Sequence, residues 1–295
     1  MFGKFAILFA FLAMFSWGVG DFLIQRTVKK IGEFETLIWI NLIGGLGLLP
    51  FVIGDFSKLH WGNVWPLILL GVIDFFYGIT LLKAYDRGKL SVVEIIMTVE
   101  LPFTVLLGMS FFKEKLTLPQ TLLILLILSG IIFISKSPAT LMDKLVKFFT
   151  GRAHRLEKGV ILAVIAAFIS GFYNFMVAFN ARDISAVMAI WFPWTMSFLC
   201  LFVYVLFKKG FKTFINKSKK EKGMILITGL IDTLAWISFS IALSKNELSI
   251  TTAITESYPA IAMFLGIKYN REKISGSQYF GAVAALMGSV IIGII

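Results

Sequence analysis

Leu70-Gly-Val-Ile-Asp-Phe-Phe-Tyr-Gly-Ile79 sets one acid in the middle of an apolar run, and Thr228-Gly-Leu-Ile-Asp-Thr-Leu-Ala-Trp-Ile237 repeats the arrangement. Gly71-Val-Ile-Asp74 falls on Gly229-Leu-Ile-Asp232 at a shift of 158 residues. The same shift lays Leu90-Ser91 on Leu248-Ser249, Glu114-Lys115 on Glu272-Lys273, and Gly130 on Gly288. Pro102 and Pro259 correspond after a slip of one residue, and Trp39 pairs with Trp191 at an offset of 152. The chain therefore reads as two copies of one unit.

The surroundings of these runs set the solvent. Of 295 residues, 58% are hydrophobic, and the mean hydropathy is +0.88. A soluble domain of this size has no interior large enough to hide that much apolar surface. A bilayer supplies an apolar solvent, and a span needs roughly 20 mainly apolar residues to cross a core about 30 Å thick. Ten such runs lie near residues 5–25, 35–54, 64–85, 90–112, 118–135, 159–180, 184–207, 224–244, 248–267 and 276–294. All are expected to be helices, because lipid offers no partner for unpaired backbone groups. The predicted fold is all-α and membrane-embedded. It divides into a first five-helix repeat over 1–137, a basic connector over 138–158 and a second repeat over 159–295. Within the connector, Leu141-Met-Asp-Lys-Leu-Val-Lys-Phe-Phe149 has the spacing of an interfacial helix. The apolar run at the N-terminus continues to Ile24 without a convincing cleavage site and reads as the first span.

Five spans per unit is odd, so the second unit enters the membrane inverted. Charge agrees: Lys and Arg concentrate after spans one and three in the first half, and after spans seven and nine in the second. On the side of the termini lie Lys4, Lys58, Lys113, Lys115, Arg182 and Lys245, six of 28 basic residues, which leaves 22 on the other side. The positive-inside rule then places both termini outside the cytoplasm. The net charge of +11 belongs to these connections and faces anionic lipid, which argues against nucleic acid as a partner. The single cysteine, Cys200, reads as a buried structural thiol and excludes an internal disulfide.

Six of the 17 acidic residues fall inside predicted spans beyond their first residue: Asp21, Asp74, Glu94, Glu100, Asp232 and Glu256. No Lys or Arg lies near the middle of any span. Asp74, Asp232, Glu100 and Glu256 sit near span centres, where an exposed charge costs about 3 kcal/mol and four would cost about 12. These four must face a cavity, be neutralised by protons, or bridge helices. Glu94 lies nearer a helix end and reads as interfacial. Pro102 and Pro259 are expected to kink spans four and nine, freeing the carbonyls of Thr98 and Thr255 beside Glu100 and Glu256. Trp17 and Asp21 share a face of span one, with Ser170, Asn174 and neighbouring Tyr173 in the equivalent part of span six. Tyr77 shares a face with Asp74, and Trp236 with Asp232. Aromatic faces beside carboxylates suit an organic cation. The candidate solute site is therefore Asp74, Asp232, Glu100, Glu256, Trp17, Asp21, Tyr77, Tyr173, Asn174 and Trp236.

With ten spans in two halves, Ser16-Trp17-Gly18 in span one, Glu114-Lys115-Leu116 after span four and Glu272-Lys273-Ile274 in the matching place, the chain resembles the drug/metabolite transporter superfamily, in particular proteins with two EamA domains. The resemblance covers nearly the whole chain. It implies a carrier of metabolites or drugs, often an exporter, with a central cavity lined by both halves. It also implies cytoplasmic termini, opposite to the charge count; a compartment reporter fused at Ile295 separates the two. No zinc motif, nucleotide-binding loop or nucleophile–base pair is visible, so neither an enzyme nor an ATP-driven pump is expected. The expectation is a multi-pass protein of the cell membrane that moves a small cationic or zwitterionic solute by alternating access. It needs no cofactor beyond a coupling proton or sodium ion. The alternatives are a lipid flippase using the basic Lys208–Lys222 loop, a membrane-embedded enzyme, or a sensor or scaffold.

Overall fold

A computed structural model describes residues 2–88, 90–134, 155–209, 211–261, 264–265 and 276–295. Among them all regular structure is helical: α1 (Phe2–Ile31), α2 (Glu33–Val52), α3 (Trp61–Arg87), α4 (Leu90–Met97), α5 (Glu100–Phe111), α6 (Leu118–Ile134), α7 (Arg155–Asp183), α8 (Met188–Lys209), α9 (Phe211–Lys219), α10 (Lys222–Lys245), α11 (Leu248–Thr255) and α12 (Gly276–Ile292). Six of the spans, built on α1, α2, α3, α7, α8 and α10, are each long and apolar enough to cross a membrane. The expected interfacial helix at Leu141–Phe149 and the Glu272-Lys273-Ile274 motif lie outside the described residues.

The connections are tight. Gly32 joins α1 to α2 at φ 99°, a left-handed conformation that costs a side-chain-bearing residue steric strain. The basic loop beyond α8 forms α9, tied to the start of α2 by the Trp39 indole N–H, which donates to Ser218 Oγ at 2.7 Å, and by Lys217 Nζ, 3.8 Å from Glu35.

Packing follows the repeat. α1 runs along α10, and α3 along α7. These are spans one with eight and three with six, and the repeat maps one pair onto the other. α2 packs on α8, and α6 on α12. At the last interface a Cβ on Gly130 would stand 2.6 Å from the Gly281 carbonyl oxygen and 2.8 Å from the Ala285 nitrogen. Its repeat mate Gly288 faces Ile127 at 2.7 Å across the same seam. Without a hydrophobic drive between helices in lipid, such close backbone approach supplies the attraction. Large apolar side chains such as Phe15, Phe51, Phe76 and Phe207 are exposed on the outside, where hydrocarbon is their solvent.

Spans four and nine are interrupted rather than kinked. α4 ends at Met97, Thr98 and Val99 form a turn, and α5 starts at Glu100. α11 ends at Thr255, Glu256 and Ser257 form the turn, and helix resumes at residue 258. The prolines explain the difference from expectation. Pro102 falls in the first turn of α5, where its missing N–H has no intrahelical acceptor to lose. The Thr98 carbonyl, expected to be free, accepts from the Leu101 N–H at 3.1 Å. α5 and α11 pack against one another, so both breaks meet between the repeats.

Candidate functional site

At these breaks lies a cavity of about 70 Å³. It is lined by α1, α2, α3, α5, α7, α8 and α10, by the end of α4, and by the turn after α11. Five carboxyl groups reach it: Asp21, Asp74, Glu100, Asp232 and Glu256. All five are buried, and no Lys, Arg or His is among the lining residues. Burying one unpaired charge costs several kcal/mol, so this concentration of acid is sustainable only with protons or a cation among the carboxyls.

The hydrogen bonds divide the acids into distinct settings. Asp74 accepts from Ser197 Oγ of α8 in a short hydrogen bond. Glu100 accepts from Asn174 Nδ2 of α7 at 2.9 Å. Glu100 and Glu256, one from each repeat, are close enough to interact across the chamber. An ionised carboxylate only accepts, so a bond between these two requires a proton on one of them. Three buried lining atoms have no protein partner: Glu256 Oε2, Asn174 Oδ1 and the donor Asn41 Nδ2. Two acceptors and one donor left unpartnered on lining residues suit a solute that carries an ammonium and a carbonyl or carboxylate.

Aromatic rings form one wall. Trp17 stands edge-on to Trp236 with centroids 4.9 Å apart. Tyr173 meets Trp236 edge-on at 5.0 Å and stacks on Tyr77 at 5.3 Å. Of the ten residues expected from sequence, nine line the cavity; Tyr173 is fully buried behind Tyr77 and Trp236.

Two sequence expectations are overturned. Cys200, expected to be buried, is exposed on α8. Glu94 is not interfacial: it is buried at 2% exposure, and Oε2 accepts from the Tyr258 hydroxyl at 2.6 Å. The α3–α4 connection is short and pressed against α7, where a Cβ on Gly159 would meet the Gly88 nitrogen at 2.7 Å. α4 packs along α7, and Glu94 is covered there. The sequence reading also passed over Asn41, Tyr85 and Tyr258, which line the cavity. Asn41 lies two residues from the repeat-matched Trp39, and Tyr258 two from Glu256, so proximity to marked positions was the available signal. Tyr85 was placed at a span end, but α3 continues to Arg87.

A polar chamber between two opposed five-helix repeats, inside a lipid-facing shell, is the architecture of a membrane transporter. Residues 4–136 and 157–294 each match the EamA-like transporter family, and the chain belongs to that family. It is an integral membrane protein with the two-repeat organisation of the drug/metabolite transporter superfamily. An uncharacterized protein of Methanocaldococcus jannaschii, MJ1333.1, is 30% identical over 140 residues, which is 45% of this chain and 97% of its own. The archaeal protein is thus similar to a segment of about one repeat. A solved crystal structure superposes on 97% of this chain and 96% of its own with a TM-score of 0.70 at 14% identity, a likeness of fold.

Proposed function

We propose that this transporter is a secondary carrier that moves a small cationic or zwitterionic solute by alternating access, coupled to an ion gradient and working in the cell membrane. The observation that carries the reading is the chamber itself: five buried carboxyls, no basic residue, and an aromatic wall. A cationic centre compensates the acids and finds the faces of Trp17, Trp236 and Tyr77. Asn41 Nδ2 gives an added carboxylate or carbonyl its partner, which extends the class to zwitterions.

The inverted repeat supplies the motion. Two similar units can exchange conformations, so that a site between them opens to one side and then the other. The interruptions at Thr98–Val99 and Glu256–Ser257 give spans four and nine short joints at the chamber. The basic side of the molecule faces the cytoplasm in this reading.

A thermal-shift assay on purified protein tests the substrate class, since a ligand that binds only the folded state raises its stability by mass action. The probes are lysine, putrescine and tetraethylammonium, with glutamate as the anionic control. At least one cation should raise the unfolding midpoint, and the rise should vanish in Asp74→Asn and Asp232→Asn. A shift with glutamate alone, or equal cation shifts in both variants, contradicts the reading.

A further inference from the structure

Glu94 is a buried acid that the solute chamber does not use. Its side chain is absent from the cavity lining, yet Tyr258, which does line the cavity, donates its hydroxyl to Glu94 Oε2 at 2.6 Å. The other oxygen, Oε1, is buried and has no protein partner. An acceptor left open in that way is a place for a proton.

The surroundings favour a proton over a metal ion. Asp21 of α1 and Glu100 of α5 add negative charge near Glu94, as does Glu256. Tyr85 of α3 is buried beside both Asp21 and Glu94. From α7, Val160 and Ala163 pack in the same apolar cluster as Val93, and Lys158 is exposed. Among the described residues no group of three or more His, Cys, Asp or Glu is placed to hold a metal ion.

We propose that Glu94 binds the coupling proton at a site separate from the solute carboxyls, and that the Tyr258 hydroxyl links the two sites. The link follows from donor arithmetic. When Glu94 is ionised it only accepts, so Tyr258 commits its one proton to Glu94. When Glu94 takes up a proton at Oε1 the carboxyl is neutral, and the charge-assisted bond that holds the Tyr258 hydroxyl at Oε2 weakens. The Tyr258 O–H is then free to turn into the chamber, two residues from Glu256. Binding a proton at Glu94 therefore changes the hydrogen-bonding character of the chamber wall without a charge entering the chamber.

This assignment rests on the carrier reading for its purpose but is tested without a solute. Infrared difference spectra of the full chain in lipid, titrated from acidic to alkaline pH, report protonated carboxyl groups by their carbonyl stretch. The wild type should show a carboxyl band that disappears on titration, and Glu94→Gln should lack that band while keeping the others. Tyr258→Phe retains the Glu94 carboxyl and should shift the titration midpoint of the same band, which decides the matter if Glu94→Gln fails to fold. Identical titrating bands in wild type and Glu94→Gln, or a Glu94 band that persists at every pH, overturns the proposal. If the band behaves as expected while no cationic probe binds, the solute class is wrong and the proton site stands.

Discussion

Glu114 of the first repeat caps a helix of the second through Ser249: its Oε2 accepts from the Ser249 N–H at 3.0 Å and from Ser249 Oγ at 2.6 Å. Oε1 accepts from the Leu248 N–H at 2.7 Å. A carboxylate at the N-terminus of α11 satisfies donors that have no partner inside the helix and complements the helix dipole. Arg182 Nη2 lies 3.5 Å from the same carboxylate and donates to the Asn246 carbonyl at 2.7 Å. Glu114→Ala leaves these donors buried without an acceptor and should cost about 1–3 kcal/mol. Glu114→Gln retains one acceptor oxygen and should cost less. Unfolding midpoints of the purified variants check the order.

Gly130 sets the spacing of α6 and α12. Its missing Cβ would overlap backbone atoms of Gly281 and Ala285, which cannot turn aside as a side chain can. Gly130→Ala should lower stability by about 1–3 kcal/mol through overpacking. Gly223 in α10 has nothing within 4 Å of its Cβ position, so Gly223→Ala should be neutral or stabilising by up to about 1 kcal/mol from helix propensity. Parallel thermal melts of the two variants make the comparison.

Trp236 contacts Trp17, Tyr77, Tyr173 and Phe239. Trp236→Ala removes the centre of this wall and should cost about 3–5 kcal/mol of stability. Trp236→Phe preserves a ring but weakens its cation-attracting face. It should reduce binding of the cationic probe by an amount equivalent to about 0.5–2 kcal/mol. Titration calorimetry with the probe that gives the largest thermal shift measures that loss.

Glu247 precedes α11 at the membrane edge. Burial first, then the neighbouring charge of Glu114, holds its carboxyl above the ordinary value of 4.5, with Arg182 opposing. A raised acid keeps its proton longer in the folded state than in the unfolded one. Its contribution is therefore present below the unfolded value and lost as pH rises through the folded one. Glu247→Gln should flatten that loss and raise the unfolding midpoint at neutral pH relative to wild type. Melts across pH compare the slopes.

The helical fold and its duplication were legible because the marks of the repeat are also its working parts. Asp74 and Asp232 both reach the chamber, and Gly130 and Gly288 both sit in the α6–α12 seam. The acids at span centres were legible for an energetic reason, since lipid penalises them heavily. Less legible were the interruptions at Thr98–Val99 and Glu256–Ser257. A proline marks a weak point in a helix, and tertiary packing decides whether it bends or breaks. Glu94 was misread because depth was inferred from distance along its own helix, whereas the cover comes from α7. Asn41 carried no local mark beyond a single amide in an apolar run.

Flux through the protein tests the central claim most directly. Vesicles containing purified wild type, Asp74→Asn or Asp232→Asn are loaded with labelled putrescine, lysine or tetraethylammonium and placed in an inward or outward proton gradient. The acidic-chamber account predicts protein-dependent, gradient-sensitive movement of at least one cation in the wild type and its loss in both variants, with helix content unchanged. Equal flux in all three proteins, or movement of labelled lipid in place of the cations, would contradict it.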